Sequence, residues 1–249
     1  MGPRRRIVLV LVAIETVFVI TTVARLWVEP SLATFLRPLD LDQELSVPTW
    51  FSSGQLLVIG LLVWLSGTLA GDGCQPSRRA FALVGLSFIY LSMDETAGIH
   101  EAATRFLDDY PWAPRFSQDN GIWIFVYLAI LLALIGLLWQ DFLAAFRDLR
   151  GPFTIIVGGF CLFVLGGVVV EALHYELVDA GTPDGWAVAQ YAVEEFLEML
   201  GGTIMLYGAM VLHEEMLART ADGPYQAIRR HGSAHGADAR HRESRRTQS

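Results

Sequence analysis

Three short stretches of the chain place acidic and histidine residues inside segments that are otherwise apolar. They are residues 91–101, 171–174 and 191–198. Ionised side chains are costly in hydrocarbon, so they are rare in membrane segments unless they pair, bind an ion or line a wet cavity. The three stretches therefore predict one buried site made of carboxylates and histidines.

Glu171 and His174 are three residues apart, which puts an oxygen ligand and an imidazole nitrogen on one helix face. The spacing resembles in part that of ferritin-like di-iron and di-manganese proteins, which use two such pairs with a Glu from each of two further helices. The second pair is missing here, unless His100 takes its role. A divalent metal would also relieve the repulsion between neighbouring carboxylates. The expected metal is iron, manganese or zinc, and the expected ligands are Glu95, His100, Glu171, His174 and Glu198.

Further acidic residues have expected roles around these ligands. Glu194 and Glu195 share a helix face with Glu198, because all three fit within an arc of roughly 100°. We expect Glu194 and Glu195 to act as catalytic bases or as bridging groups. Three other acids are expected to support the ligands from outside: Asp94, Glu101 and Glu15.

The composition indicates that these residues lie in a membrane protein. Of 249 residues, 53% are hydrophobic and 18% are charged, whereas soluble domains average about 25% charged residues. The apolar residues form long blocks rather than amphipathic patterns, which indicates lipid as the solvent. The net charge of −8 gives no reason to expect a nucleic-acid partner.

The apolar blocks predict an all-α, polytopic membrane bundle with six transmembrane helices. Counting 1.5 Å per residue places the three stretches together in one half of the bilayer. The domain is expected to cover residues 1–217, followed by a disordered basic tail over residues 218–249. The predicted spans are residues 7–28, 49–70, 80–103, 122–140, 153–175 and 186–212.

The arginines predict the orientation of the bundle. With six spans, fourteen of the 18 basic residues fall on the side of the two termini, and every one of them is Arg. Loops rich in Arg stay in the cytoplasm, so both termini are expected there. Size, composition and topology together favour a bacterial inner membrane, and the site then lies in the outer half of the bilayer.

Two classes of function fit this arrangement. The first is a metal-dependent membrane enzyme, either an oxidoreductase acting on a lipid or quinone, or a hydrolase that uses metal-activated water. The second is a transporter in which the acids form a proton or cation path. Only Glu15 and Gln55 continue the polar cluster inward, which favours the enzyme. A structural or sensory protein with a polar ion-pair network is a further alternative.

Overall fold

The computed structural model describes residues 2–41, 43, 45–71, 76–116, 121–177 and 184–246. Within these ranges, the side chains of His174, Leu177, Asp184 and residues 222–246 are outside the description. The regular elements of the described chain are all helical, without a strand, which confirms the all-α prediction.

The described helices follow one another along the chain with short connections. A 3₁₀ turn, Arg37–Leu39, follows the second helix, and a π-helical segment, Leu165–Val170, joins the eighth to the ninth. The α-helices are α1 Pro3–Ala24, α2 Pro30–Leu36, α3 Val47–Thr68, α4 Arg78–Ala97, α5 Ile99–Leu107, α6 Ile122–Leu137, α7 Trp139–Asp148, α8 Arg150–Val164, α9 Glu171–Leu177 and α10 Asp184–Arg246.

Five described segments are long and apolar enough to cross a membrane, and a bent pair of helices makes a sixth if it counts as one span. That pair is α6 with α7, which meet at an angle of 69°. The predicted fourth span, residues 122–140, is therefore not one straight helix. The five single segments are Pro3–Ala24, Val47–Thr68, Arg78–Ala97, Arg150–Leu173 and Gly185–Ala221.

The third predicted span, residues 80–103, also divides in the structure. Gly98 has a φ of +57°, in the left-handed region that glycine adopts without a steric penalty. Its backbone N–H donates to the carbonyl of Asp94 at 2.8 Å, which closes the last turn of α4. The chain then starts α5 in a new direction, and this break brings His100 back towards Asp94.

Close contacts between glycines position the helices that carry the acidic residues. A Cβ on Gly60 of α3 would lie 2.7 Å from the carbonyl of Gly85 on α4. A Cβ on Gly159 of α8 would lie 2.7 Å from the carbonyl of Gly201 on α10. Small residues at such crossings let helix backbones approach closely. As a result α10 packs against α8 and α3, and α3 packs against α4.

One end of the bundle carries several arginines and is called the arginine end below. Arg4 pairs with Glu214 at 3.1 Å, and Arg219 donates to the carbonyl of Asp148 at 2.6 Å. Arg78 donates to the carbonyl of Ala70 at 2.7 Å. The first two contacts join the start of α1 and the junction of α7 and α8 to residues 214–219 of α10, and the third joins the start of α4 to the end of α3.

The backbone of α10 is helical as far as Arg246, although the sequence predicts disorder from residue 218. Side chains are described only up to Ala221. The expected disordered basic tail therefore stays a prediction.

Candidate functional site

Asp94 and His100 form a tight pair at the break between α4 and α5. The backbone N–H of His100 donates to Asp94 Oδ1 at 2.7 Å, and His100 Nδ1 lies 3.1 Å from the same oxygen. Because a carboxylate accepts, Nδ1 carries the proton of this contact and Nε2 is left for another role. A carboxylate that holds the second nitrogen in this way is typical of metal-binding and proton-transferring histidines.

The charge state of His100 follows from its neighbours. Burial lowers the pKa of His100, but the hydrogen bond and negative charge of Asp94, with smaller effects from Glu171 and Glu101, outweigh it. The pKa of His100 is therefore raised above its ordinary value of 6.5.

Aromatic residues connect His100 to the second acidic stretch. The rings of His100 and Trp123 are 5.1 Å apart between centroids. Trp123 Nε1 makes a long hydrogen bond of 3.4 Å to Glu171 Oε1, and the Tyr175 hydroxyl donates to the same oxygen at 2.5 Å. Burial and the charge of Glu171 raise the pKa of Tyr175, so its hydroxyl stays protonated as a donor. Glu171 is thus held next to His100, as the sequence predicts.

The third stretch reaches the same place from α10. The carboxyl group of Glu198 interacts electrostatically with four other carboxyl groups, those of Glu195, Glu95, Glu194 and Glu171. Glu95 in turn accepts a hydrogen bond of 2.6 Å from Ser52 on α3. The structure therefore brings the described members of all three stretches together. We call this set the acidic cluster: Asp94, Glu95, His100, Glu171, Glu194, Glu195 and Glu198.

Two glycines of the π-helical segment make room for the α10 residues. A Cβ on Gly166 would lie 2.7 Å from the carbonyl oxygen of Glu194, and one on Gly167 would lie 2.7 Å from Glu198 Oε1. Single-turn π segments inside helices are frequent at functional sites. Here the segment ends directly before Glu171, so the same local distortion sets the positions of Glu171 and Glu198.

The acidic cluster lines one end of a cavity of about 920 Å³ between α4, α6 and α8. Apolar residues such as Leu83, Leu131 and Phe160 form most of its wall, and it continues towards Asp141 at the arginine end. We call this cavity the cleft. Glu101 also lines it, at the acidic end and paired with Arg105 at 3.0 Å. Cavities of this size and polarity are typical of binding sites for small molecules.

Two of the predicted site residues are not among the described members of the acidic cluster. The side chain of His174 lies outside the described residues, so the expected Glu171/His174 pair stays a prediction. Glu15 is described, and it lies elsewhere, fully buried with Gln55 and Thr203. The Thr203 hydroxyl donates to Glu15 Oε1 at 2.5 Å and Gln55 Nε2 donates to it at 3.2 Å, while Glu15 Oε2 has no partner.

Metal binding also stays a prediction. No three His, Cys, Asp or Glu side chains in the described ranges are placed together as a metal ion requires. The ligand atoms of the acidic cluster still suit a hard or borderline divalent ion, because carboxylate oxygens predominate and His100 offers Nε2.

Some residues of the site carried no clear signal in the sequence. Tyr127, whose hydroxyl lies 2.9 Å from that of Tyr90, belongs to a predicted span without any charged residue. Trp123 has the position expected of a membrane-interface anchor. Of these residues, Ser52 is the one that the sequence could have indicated, because it lies three residues before Gln55 and therefore on the same face of α3.

A comparison with models of known protein families assigns this chain to one of them. Residues 7–218 match the family model described as a domain of unknown function, DUF8692. The chain belongs to this family. No curated protein and no solved structure matches it. The matched residues include the whole acidic cluster and all the helices that form the cleft.

Proposed function

We propose that this chain is a multi-pass membrane protein that binds a divalent metal ion in the acidic cluster and acts on a lipid-soluble molecule in the cleft. The observation that carries the proposal is that the acidic cluster and the apolar cleft line one continuous cavity. An apolar cavity long enough to run along several helix turns ends on the six carboxyl groups and the histidine of the acidic cluster, with Glu101 beside them. An amphiphile in this cleft would present its polar head to the groups that do chemistry.

The membrane setting is supported by the exposed apolar faces and by the charge distribution. Large apolar side chains are exposed along the long helices, for example Leu9, Ile20 and Leu65. The arginine end lies opposite the acidic cluster, as expected if this end faces the cytoplasm. We therefore propose that the protein lies in a bacterial inner membrane, with both termini in the cytoplasm and the acidic cluster towards the outer leaflet.

The residues around the cluster have distinct roles in this proposal. Glu95, His100, Glu171, His174 and Glu198 are the candidate ligands. Asp94 orients His100, Ser52 orients Glu95, and Tyr175 orients Glu171 through the hydrogen bonds given above. Glu194 and Glu195 are placed to accept or deliver a proton at the head group. The metal would supply either an activated water for hydrolysis or a redox centre, according to its identity.

Transport of protons or cations is the second candidate. The buried polar group of Glu15, Gln55 and Thr203 favours it, because it could continue a polar path inward from the acidic cluster. Below Glu15, Gln55 and Thr203, however, the interface of α3 and α10 is closed by apolar residues. Ile59, Met205 and Ala209 are all 0% exposed there. The next polar contact along this interface, 3.2 Å from Ser66 to His213, lies beyond them. This apolar layer supports a binding or catalytic role over a continuous ion path.

The metal content of the purified protein tests the proposal. Detergent-purified wild type would be supplied with iron, manganese or zinc in separate samples, dialysed and analysed by elemental mass spectrometry. We expect stoichiometric binding of one of these metals. The double variant Glu171→Ala/His174→Ala should lose it, because it removes two candidate ligands.

A matched control is available at the arginine end. The double variant His213→Ala/Glu214→Ala also removes one histidine and one glutamate, and it should keep the metal. If folded wild-type protein binds none of the three metals, the metal proposal is wrong. If both double variants bind as much metal as the wild type, the metal site is elsewhere.

A further inference from the structure

Helix α6, which forms one wall of the cleft, contacts the rest of the bundle mainly at its two ends. Among the residues of α6, only Ile122 and Ile124, at its first turn, are buried. At this end the Tyr127 hydroxyl contacts that of Tyr90 on α4. At the other end, Asp141 of α7 accepts a hydrogen bond of 2.6 Å from the backbone N–H of Ser77. The helix is held at its two ends, and its middle stands away from α4 and α8.

The cleft behind α6 is open to the outside of the bundle. Several residues that line it are also exposed, including Leu86 at 45%, Leu128 at 48% and Val157 at 41%. In a membrane protein these side chains face lipid. A flexible apolar chain can therefore pass from the bilayer into the cleft without crossing water.

The charge at the acidic end restricts the head group that such a chain can carry. Seven carboxyl groups line this end, and one of them, that of Glu101, is paired with Arg105. His100 is the one basic residue that lines the cleft in the described part of the chain, since neither Arg nor Lys does. The structure gives Glu194 and Glu198 no hydrogen-bond donor among the residues it describes. A phosphate or carboxylate head would add negative charge here, whereas an ammonium group brings a positive charge and three donors.

We propose that the cleft binds a long-chain amine, with its amino group against Glu194 and Glu198 and its apolar tail between α4, α6 and α8. The inference deepens the proposed function, since it names the class of lipid-soluble molecule that the cleft takes. It depends on the shape and charge of the cleft, and not on the metal ion.

Binding of radiolabelled hexadecylamine to the protein in nanodiscs of neutral phosphatidylcholine tests this inference. Unlabelled hexadecylamine, hexadecanol and hexadecyl phosphate would compete, because they differ only in the head group. We expect the affinity for hexadecylamine to be at least tenfold higher than that for hexadecyl phosphate. The affinity for hexadecanol should lie between the two. Glu194→Gln should reduce the affinity for the amine and leave the affinity for hexadecanol nearly unchanged.

Two variants of α6 distinguish the cleft from the surrounding lipid. Leu131 lines the cleft, whereas the neighbouring Leu132 is 59% exposed and does not line it. Leu131→Trp should fill the cleft and weaken amine binding at least tenfold, and Leu132→Trp should bind as the wild type does. Equal binding by the two variants, or competition by the phosphate as strong as by the amine, would overturn the inference.

The same samples separate this inference from the metal proposal. Metal content would be measured before and after chelation, alongside amine binding. A protein that holds metal but shows no preference for the amine refutes the inference alone. A protein that holds no metal but binds the amine in the Leu131-dependent way supports it, and refutes only the metal part of the proposed function.

Discussion

Asp94 accepts two hydrogen bonds from His100, one from its backbone N–H at 2.7 Å and one from Nδ1 at 3.1 Å. The two residues lie on different helices, and the left-handed turn at Gly98 makes the contact possible. This pair therefore couples the backbone geometry of the α4–α5 break to the charge of the ring that faces the cleft.

The first prediction concerns pH. The pKa of His100 in the folded protein is raised above 6.5, because Asp94 outweighs the effect of burial. A raised pKa adds stability that is fully present below the unfolded value and is lost as the pH rises through the folded value. Metal-free wild type should therefore lose stability as the pH rises above 6.5, relative to His100→Gln, in thermal unfolding followed by circular dichroism.

Asp94→Asn tests the cause of this pH dependence. The amide keeps an acceptor for the backbone N–H but lacks the charge, so the pKa of His100 should fall. We expect a loss of about 1.5–3 kcal/mol at pH 6, the size of a hydrogen bond to a charged group, and a smaller loss at pH 8. The same pH dependence in Asp94→Asn and wild type would show that another group titrates.

The second prediction concerns the glycines of the π-helical segment. Gly166→Ala should destabilise the protein by about 1–3 kcal/mol, because its Cβ meets the backbone carbonyl of Glu194, which cannot move alone. Gly167→Ala meets only the flexible end of Glu198, so it should cost less stability but displace that carboxyl group and weaken metal and amine binding. Denaturant unfolding and the two binding assays measure these effects.

Gly158→Ala is the matched control for the glycine variants. It lies in α8 and has nothing within 4 Å of its added Cβ. Alanine has the higher helix propensity, so this variant should be neutral or more stable by up to about 1 kcal/mol. If Gly158→Ala and Gly166→Ala destabilise equally, the close approach of α10 is not the reason.

The third prediction concerns the buried Glu15. Glu15→Leu removes the acceptor of the Thr203 hydroxyl and one of the two acceptors of Gln55 Nε2, which also donates to Thr203 Oγ1, in a site that is 0% exposed. Leaving buried donors without a partner costs about 1–3 kcal/mol. Glu15→Gln keeps an acceptor oxygen of the same shape and should cost clearly less. A ranking in which the glutamine variant is the less stable one would contradict this account of the group.

The fourth prediction concerns the ion pair of Arg25 and Asp40 beyond the end of α1. Asp40 is 5% exposed, so Arg25→Ala leaves a buried carboxylate unpaired and should cost about 3 kcal/mol. Arg4→Ala removes an exposed pair with Glu214 and should cost at most about 1 kcal/mol. Both losses would be measured by denaturant unfolding. Similar losses in the two variants would show that burial does not explain the contribution of the Arg25–Asp40 pair to stability.

The sequence was sufficient for the helical class, the apolar segments and the joining of the three acidic stretches. Each of these depends on regular geometry, since a rise of 1.5 Å per residue sets depth and 100° per residue sets the face. Glu95, Glu171 and Glu198 line one cavity in the structure as this counting predicts.

The remaining differences arise where regular geometry ends. The break at Gly98 depends on one residue with positive φ, and a hydropathy pattern does not distinguish it from a helical glycine. The 69° bend after α6 is likewise invisible in a continuous apolar run. Glu15 has a depth near the cluster, yet α1 packs on a different face of α10. Depth is readable from sequence, whereas the direction of a helix face requires the packing partners.

In the membrane setting proposed above, the shortness of α6 has a consequence for the lipid around it. Its 16 residues span about 24 Å, less than the roughly 30 Å of hydrocarbon in a bilayer. Hydrophobic mismatch of this kind draws the two leaflets closer together around the helix. In a bilayer, the mouth of the cleft would then lie in a local dimple. There, a lipid head group has less hydrocarbon to cross before it reaches the carboxylates.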